Sequence, residues 1–403
     1  MRCLELSAEL PIKNLPALHF GGFELFGSDQ KGGFHTEGDI IGAARVNKTA
    51  DGIPLDQLWQ DYNDLLNEIN SHRSAIVSHL CYTTTAVADA VPGGIDEAHF
   101  EEASEFGVPK AVQAGNYTVN AYDFRDYDLA TRFTWRFLRD ANRQQVDHVT
   151  TSIVEANNRN VTRQILKRLF DPTQRNSPEN QPVRGLWNGS DGFAPLPYLG
   201  REFPENTSHY LATQNATLDS QDIEDAVRML TQKGYGRRAG SRILVFANSA
   251  ETDKIATWKS GEESRAGGPV ATFDFIPSAD APPYLTTKTI VGSPAPADLD
   301  GLRVIGSYGD SWIIPTEILP AGYVAVVASA GANSPHNAVG FRIHPDTSYQ
   351  GLKLIPGNTG PYPLQDAFFT NAFGTGVRNR GAAVCIQITA GSTYTAPTWP
   401  GAA

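Results

Sequence analysis

The chain is poor in sulphur. It has 3 cysteines (Cys3, Cys81, Cys385) and 2 methionines in 403 residues. An odd number of cysteines, none at metal-ligand spacing, argues against a disulfide framework or a zinc site and leaves small buried thiols. Positive charge is not in excess either: 33 Lys and Arg stand against 44 Asp and Glu, a formal net charge of -11. A protein that reads DNA sequence needs a basic face. An acidic wall that merely encloses DNA does not. No apolar run reaches the length of a membrane helix. The opening MRCLELSAELPIKNLP lacks the basic and apolar blocks of a signal peptide. The glycosylation-type sequons at Asn47, Asn116 and Asn160 are therefore read as chance matches.

Catalytic patterns are also missing. Ser190, Ser307 and Ser311 sit in no G-x-S-x-G elbow. Gly374-Thr375-Gly376 with Gly381 lacks the spacing of a phosphate-cradling loop and reads as a turn into a strand. His336, His344 and Asp346 are separated by Pro335 and Pro345, which break the backbone needed to converge on a metal. Asp219, Asp222, Glu224 and Asp225 suit the start of a helix. No cofactor or metal is expected, and a β-rich hydrolase is disfavoured for want of converging acid, base or ligand groups.

What the chain does have is turns and a few well-marked elements. Gly 37 and Pro 26 are both above ordinary usage. After a Gly-rich stretch, Leu55, Leu58, Trp59, Tyr62, Leu65, Leu66 and Ile69 recur at helical spacing, predicting an amphipathic helix over about 54–70. With little core of its own, that helix is expected to dock on another part of an assembly or on a partner, through Trp59 and Tyr62. Residues 82–99 are small and end in Pro92-Gly93-Gly94. From 100 to 137, two polar and aromatic runs flank Ala114-Gly115-Asn116 and read as a long exposed β-hairpin. Its arginines, Arg125, Arg132 and Arg136, alternate with aromatic rings, a composition suited to lying over a neighbour. Lys110, Asn116 and Tyr117 lie on the same hairpin. A long helix is predicted over about 140–170, with Val146, Val149, Ile153, Ile165 and Leu169 on one side and Asp171-Pro172 ending it.

A compact α+β region follows from 208. Asp219 caps a helix carrying Ile223, Val227 and Leu230, and Gly234 ends it. Strands are expected at 242–246, 270–275, 302–307, 313–314 and 323–329, in a mainly antiparallel sheet. A last strand is expected at 381–389, before a loose Pro-rich end. Arg378 and Arg380 flank the preceding turn and are read as partners in ion pairs between subunits.

Two blocks of sequence carry a resemblance. One is Phe100-Glu101-Glu102-Ala103-Ser104-Glu105-Phe106-Gly107-Val108-Pro109-Lys110 with Tyr127-Asp128-Leu129-Ala130-Thr131-Arg132-Phe133-Thr134-Trp135. The other runs from Val339-Gly340-Phe341-Arg342-Ile343-His344-Pro345 through Gly351-Leu352-Lys353-Leu354 and Tyr362-Pro363-Leu364 to Phe373-Gly374-Thr375-Gly376-Val377-Arg378-Asn379-Arg380-Gly381-Ala382-Ala383. Both are similar to major capsid proteins from tailed double-stranded DNA phages of actinobacteria. Together they cover about a quarter of the chain.

The resemblance implies an α+β fold of the Hong Kong 97 type. Its parts would be an N-terminal arm (1–99), an extended E-loop hairpin (100–137) and a peripheral domain with a spine helix (138–207). An axial domain (208–335), a return to the peripheral domain (336–392) and a C-terminal tail (393–403) would follow. It implies a non-enzymatic shell subunit that forms hexamers and pentamers of an icosahedral head in the host cytoplasm. The partners it implies are a portal protein, a decoration protein and enclosed double-stranded DNA that is not read by sequence. A nanocompartment shell of the encapsulin kind is the alternative. Two departures stand out. The tip of the hairpin (113–121) has no lysine, and Lys110 lies near the base, which argues against a covalent Lys–Asn cross-link. The first fifty residues are not the long charged helix of a fused scaffold, so a separate scaffolding protein, or none, is expected.

Overall fold

The computed structural model describes residues 48–71, 74–93, 100–103, 105–108, 116–236, 241–279, 294–356 and 364–399. They divide into two compact units, and the chain passes between them more than once.

The first unit takes residues up to Ser74, 125–161 and 343–373. Helix Leu55–Ser71 buries the stripe Leu55, Leu58, Trp59, Tyr62 and Leu66. It meets Val146, Ile153 and Val154 of the long helix Arg143–Phe170, Leu138 of helix Trp135–Asp140, Leu352, and Leu354, Ala367 and Phe369 of two strands. Trp59 stacks on Phe133 at 6.2 Å, and Phe133 on Phe137 at 5.4 Å. The Tyr62 hydroxyl donates to Asp147 at 2.5 Å. Strand Lys353–Pro356 pairs antiparallel with the first half of the long strand Leu364–Val377, which strand Asp123–Thr134 also joins. The apolar stripe of the first helix is thus consumed inside the chain. The expectation that it docks elsewhere through Trp59 and Tyr62 is corrected, because the helices after 134 and the strands after 352 supply the core the local sequence lacks.

The second unit is built on a seven-stranded sheet. Its strands, in spatial order, are Tyr210–Ala212, Ala383–Gln387, Tyr323–Ser329, Arg242–Ala247, Ser311–Pro315, Gly306–Tyr308 and Phe275–Pro277. Two of the six neighbouring pairs are parallel, 210–212 with 383–387 and 242–247 with 311–315, and the other four are antiparallel. The central strands YVAVVAS and RILVFA are almost continuously apolar because both faces are covered. Helix Ser220–Thr231 covers one face with Ile223, Ala226 and Leu230, against Val245, Val324, Val326, Val384 and Ile386. Asp219 and Asp222 close a capping box at its start, and Gly234 turns the chain at φ +82° after its end. On the other face, the Cys385 thiol donates to the Leu169 carbonyl at 3.5 Å, and the Tyr210 hydroxyl donates to the Leu169 and Asp171 carbonyls.

The closing strand, expected to return with 336–392, instead pairs inside this sheet between 210–212 and 323–329. The strand expected at 270–275 is mostly loop: Gly267-Gly268-Pro269 turns the chain, and pairing in the sheet begins at Phe275. Among the described residues no helix is long and apolar enough to cross a membrane.

His209 is buried at the heart of this unit, its Nδ1–H donating to the Ala383 carbonyl at 2.7 Å. Burial, aided by the charges of Lys233 and Arg380, pushes its pKa down to about 3 from the ordinary 6.5. Below about pH 6.5 the unfolded chain takes up a proton that the folded chain refuses. Stability therefore falls on acidification, by up to about 1.4 kcal/mol per pH unit, until the folded value is reached. Urea denaturation between about pH 4 and 6 should show the H209Q variant with a shallower acid slope, by about one proton, than the parent chain.

Candidate assembly surface

A two-stranded ribbon leaves the body of the second unit. Its strands are Ala88–Gly93 and Asn116–Ala121, paired antiparallel from Ala88 opposite Ala121 to Gly93 opposite Asn116. The side chains of 117–120 alternate, as a strand requires. Thr118 and Asn120 are buried, whereas Tyr117 is 61% and Val119 44% exposed. One face is therefore tied to the body and the other is open.

The tie is polar. The Asn120 amide donates to the Val377 carbonyl, and its oxygen accepts the Arg184 N–H at 2.7 Å. The Arg184 guanidinium donates in turn to the Val119 carbonyl at 2.7 Å. At the base, the Tyr82 and Tyr122 hydroxyls lie 2.5 Å apart, Tyr122 donates to the Asp89 carboxylate, and the Arg378 guanidinium stands 3.9 Å from that carboxylate. Burial pushes the Tyr122 pKa far up and that of Tyr82 up to about 12, so both phenols stay protonated at neutral pH.

The Tyr122 ring lies directly on backbone. A Cβ at Gly340 would sit 2.2 Å from its Cε1, and one at Gly376 would sit 2.7 Å from its Cδ1. G340A is expected to destabilise the subunit by about 1–3 kcal/mol, since the ring is pinned by Tyr82 and Asp89 and cannot retreat. Thermal unfolding checks the size. Hydrogen exchange of 116–121 checks that the ribbon loosens first.

Beyond the ribbon, Phe100, Phe106 and Val108 are essentially fully exposed, at 108%, 92% and 93%. Three large apolar side chains are so presented within nine residues.

No protein-family model matches the sequence. No curated protein matches it either. Among solved structures, a chain of Mycobacterium phage Patience is 36% identical, with the match covering 90% of this chain and 96% of that one at a TM-score of 0.67. The chain belongs to the major capsid proteins of tailed phages. More distant similarity extends to the capsid of an empty GTA particle (13% identity, 79% of this chain and 91% of that one, TM-score 0.49). It also reaches a holo encapsulin complex from Synechococcus elongatus (13%, 79% and 89%, TM-score 0.43). The protein is a structural, self-associating subunit of a virion capsid, with an α+β capsid fold.

The residues expected to contact neighbours are distributed unevenly in this capsid subunit. Tyr117 is on the open face of the ribbon, and Asn116 is at its far end opposite Gly93. Lys110 lies outside the described residues. Arg125 and Arg136 are exposed, and Arg132 is exposed while standing 3.4 Å from Asp366 of the same unit. Arg378 pairs within the chain at the ribbon base. Arg380 is 2% exposed and pairs with Asp191 at 2.5 Å, so its expected role between subunits is corrected to an internal one.

The expected hairpin is corrected too. Of its first run, residues 100–103 and 105–108 form no strand and 104 and 109–115 lie outside the described residues, while 123–134 of its second run pair with the long strand 364–377 and 135–140 is helical. The partner strand of 116–121, residues 88–93, is made of small residues that carry almost no strand signal. Asn120 and Arg184, which anchor the ribbon together with Tyr122, were not singled out by the sequence. The recurrent glycines at 340, 374 and 376 were its one trace, since each meets ribbon-base or adjoining atoms at the distance where a Cβ would clash.

Proposed function

We propose that this capsid subunit assembles into hexamers and pentamers of an icosahedral head around double-stranded DNA, and that the ribbon of strands 88–93 and 116–121, with the chain that joins them, is the E-loop. The long helix Arg143–Phe170 is the spine helix, and the seven-stranded unit is the axial domain, closed by the last strand. The supporting observation is the asymmetry of the ribbon: one face is fixed by Asn120, Arg184 and Tyr122, while Tyr117, Val119 and the apolar residues beyond them are open. A rigidly rooted arm with an uncovered apolar surface stabilises a lattice by many modest contacts repeated over a closed shell. The net charge of -11 suits a wall that does not hold the packaged polyanion. Assembly in the host cytoplasm, beside a portal protein and a separate scaffolding protein, completes the reading.

Replacing residues 94–115 by a short two-residue turn tests it. The variant subunit should fold with an unchanged circular dichroism spectrum and fail to give stable particles by electron microscopy. Intact, salt-stable particles from it would remove the ribbon from the mechanism.

A further inference from the structure

The second unit holds a cavity of about 500 Å³ beside the start of helix Ser220–Thr231. Three segments form its wall. They are the loop before that helix, with Thr217 and Leu218; the end of helix Ser249–Ile255, with Lys254; and the turn that carries Arg265. Leu218 is fully buried and makes part of the wall apolar. Among the described residues no Asp or Glu lines the cavity. In a chain with a formal net charge of -11, its charged lining groups are one ammonium and one guanidinium.

Both cations are held by buried carboxylates that do not line the cavity. Lys254 Nζ donates to Glu251 at 3.0 Å, and Arg265 Nε donates to Asp219 at 3.1 Å. The other ammonium hydrogens and both Nη groups of Arg265 have no partner among the described residues, and neither has the Thr217 hydroxyl. The turn is fixed from two sides. Ser264 Oγ accepts the Ser220 N–H at 3.1 Å and donates to the Pro269 carbonyl at 2.9 Å, and buried Trp258 donates from Nε1 to the Ser264 carbonyl at 3.1 Å. The donors are therefore in place before a ligand arrives. The helix end is not what makes the site, since Asp219 and Ser264 already cap its first N–H groups.

We propose that this cavity binds the phosphate group of a small ligand. A forked guanidinium, an ammonium and a hydroxyl suit the several oxygens and the multiple negative charge of a terminal phosphate. The volume falls within the roughly 300–1,000 Å³ of small-molecule sites, which leaves room beside the phosphate for the rest of a nucleotide or a sugar, with Leu218 as its apolar wall. A bound ligand joins three segments of the chain and so stabilises the folded subunit by mass action. The site goes beyond the shell role and does not depend on it.

Isothermal titration calorimetry of the full chain with AMP, inorganic phosphate and acetate, at matched ionic strength, is the test. AMP should bind saturably and raise the melting temperature, and acetate should do neither at equal concentration. R265K keeps the charge beside Asp219 and loses the fork, and should weaken AMP binding about tenfold or more. T217V removes a hydroxyl that bonds nothing in the chain. It should leave the melting temperature without ligand unchanged and weaken AMP binding about threefold or more. AMP binding more tightly than inorganic phosphate would identify an ester as the ligand, and equal binding the free ion; either supports the site. No saturable binding of AMP or phosphate up to about 10 mM would overturn it. So would binding left unaltered by both R265K and T217V, or acetate binding as tightly as phosphate.

Discussion

Replacing Arg380 with alanine is expected to lower the unfolding free energy of the subunit by about 3–5 kcal/mol, the cost of breaking a buried ion pair by removing one partner. Arg380 donates from Nε to the Gly185 carbonyl at 2.9 Å and from Nη2 to the Leu186 carbonyl at 3.1 Å, and Nη2 stands 2.5 Å from Asp191. Its guanidinium lies 4.1 Å over the Trp187 ring. Burial lowers its pKa and Asp191 opposes that fall, so the charge is retained by the pair. Alanine would leave the Asp191 carboxylate and two carbonyls without their donor in a site closed to solvent. Lysine should recover less than half of the loss, because a point charge cannot serve two carbonyls, a carboxylate and a ring face together. Urea denaturation of the unassembled subunit measures both variants. A loss under about 1 kcal/mol for R380A would mean that the loop 185–191 closes without it.

The second large effect is at the C-terminal end. Removal of residues 391–403 is expected to destabilise the subunit by about 4 kcal/mol, with W399A alone accounting for about 3 kcal/mol of that. The Tyr394 hydroxyl donates to the Phe170 carbonyl at 2.9 Å, and the Tyr323 hydroxyl donates to the Thr395 carbonyl at 2.9 Å. Trp399 is 7% exposed and meets Phe170 edge-on at 6.3 Å. These contacts tie the end of the long helix to the central sheet. A truncated chain that melts with the parent would show that the tail is as loose as its proline content suggests.

That tail is a case where composition misleads. Pro397 and Pro400 read as a disordered end, yet Tyr394 and Trp399 fill a gap that only the folded sheet creates. The helices were legible because their cause is local: the 3.6-residue stripe from Leu55, the capping pair Asp219 and Asp222, and the glycine at 234. The central strands were legible because burial on both faces makes them continuously apolar. The ribbon was not. Its two strands lie some twenty residues apart and are held by backbone carbonyls, an asparagine and close-packed glycines, none of which leaves a hydrophobic period. Arg380 was singled out for the right chemistry, an ion pair, but sequence alone carries no measure of depth. Its neighbours Trp187 and Asp191 are almost two hundred positions away.

The central claim is that the chain is a shell subunit whose exposed ribbon is completed by neighbours. Electron microscopy of the full chain after size exclusion, alone and with a scaffolding partner, tests it most directly. The account predicts closed particles or capsomer rings of megadalton size in at least one condition, and their loss when 94–115 is replaced. A chain that stays a stable, soluble monomer in both conditions, with Phe100 and Phe106 open to solvent, would contradict it.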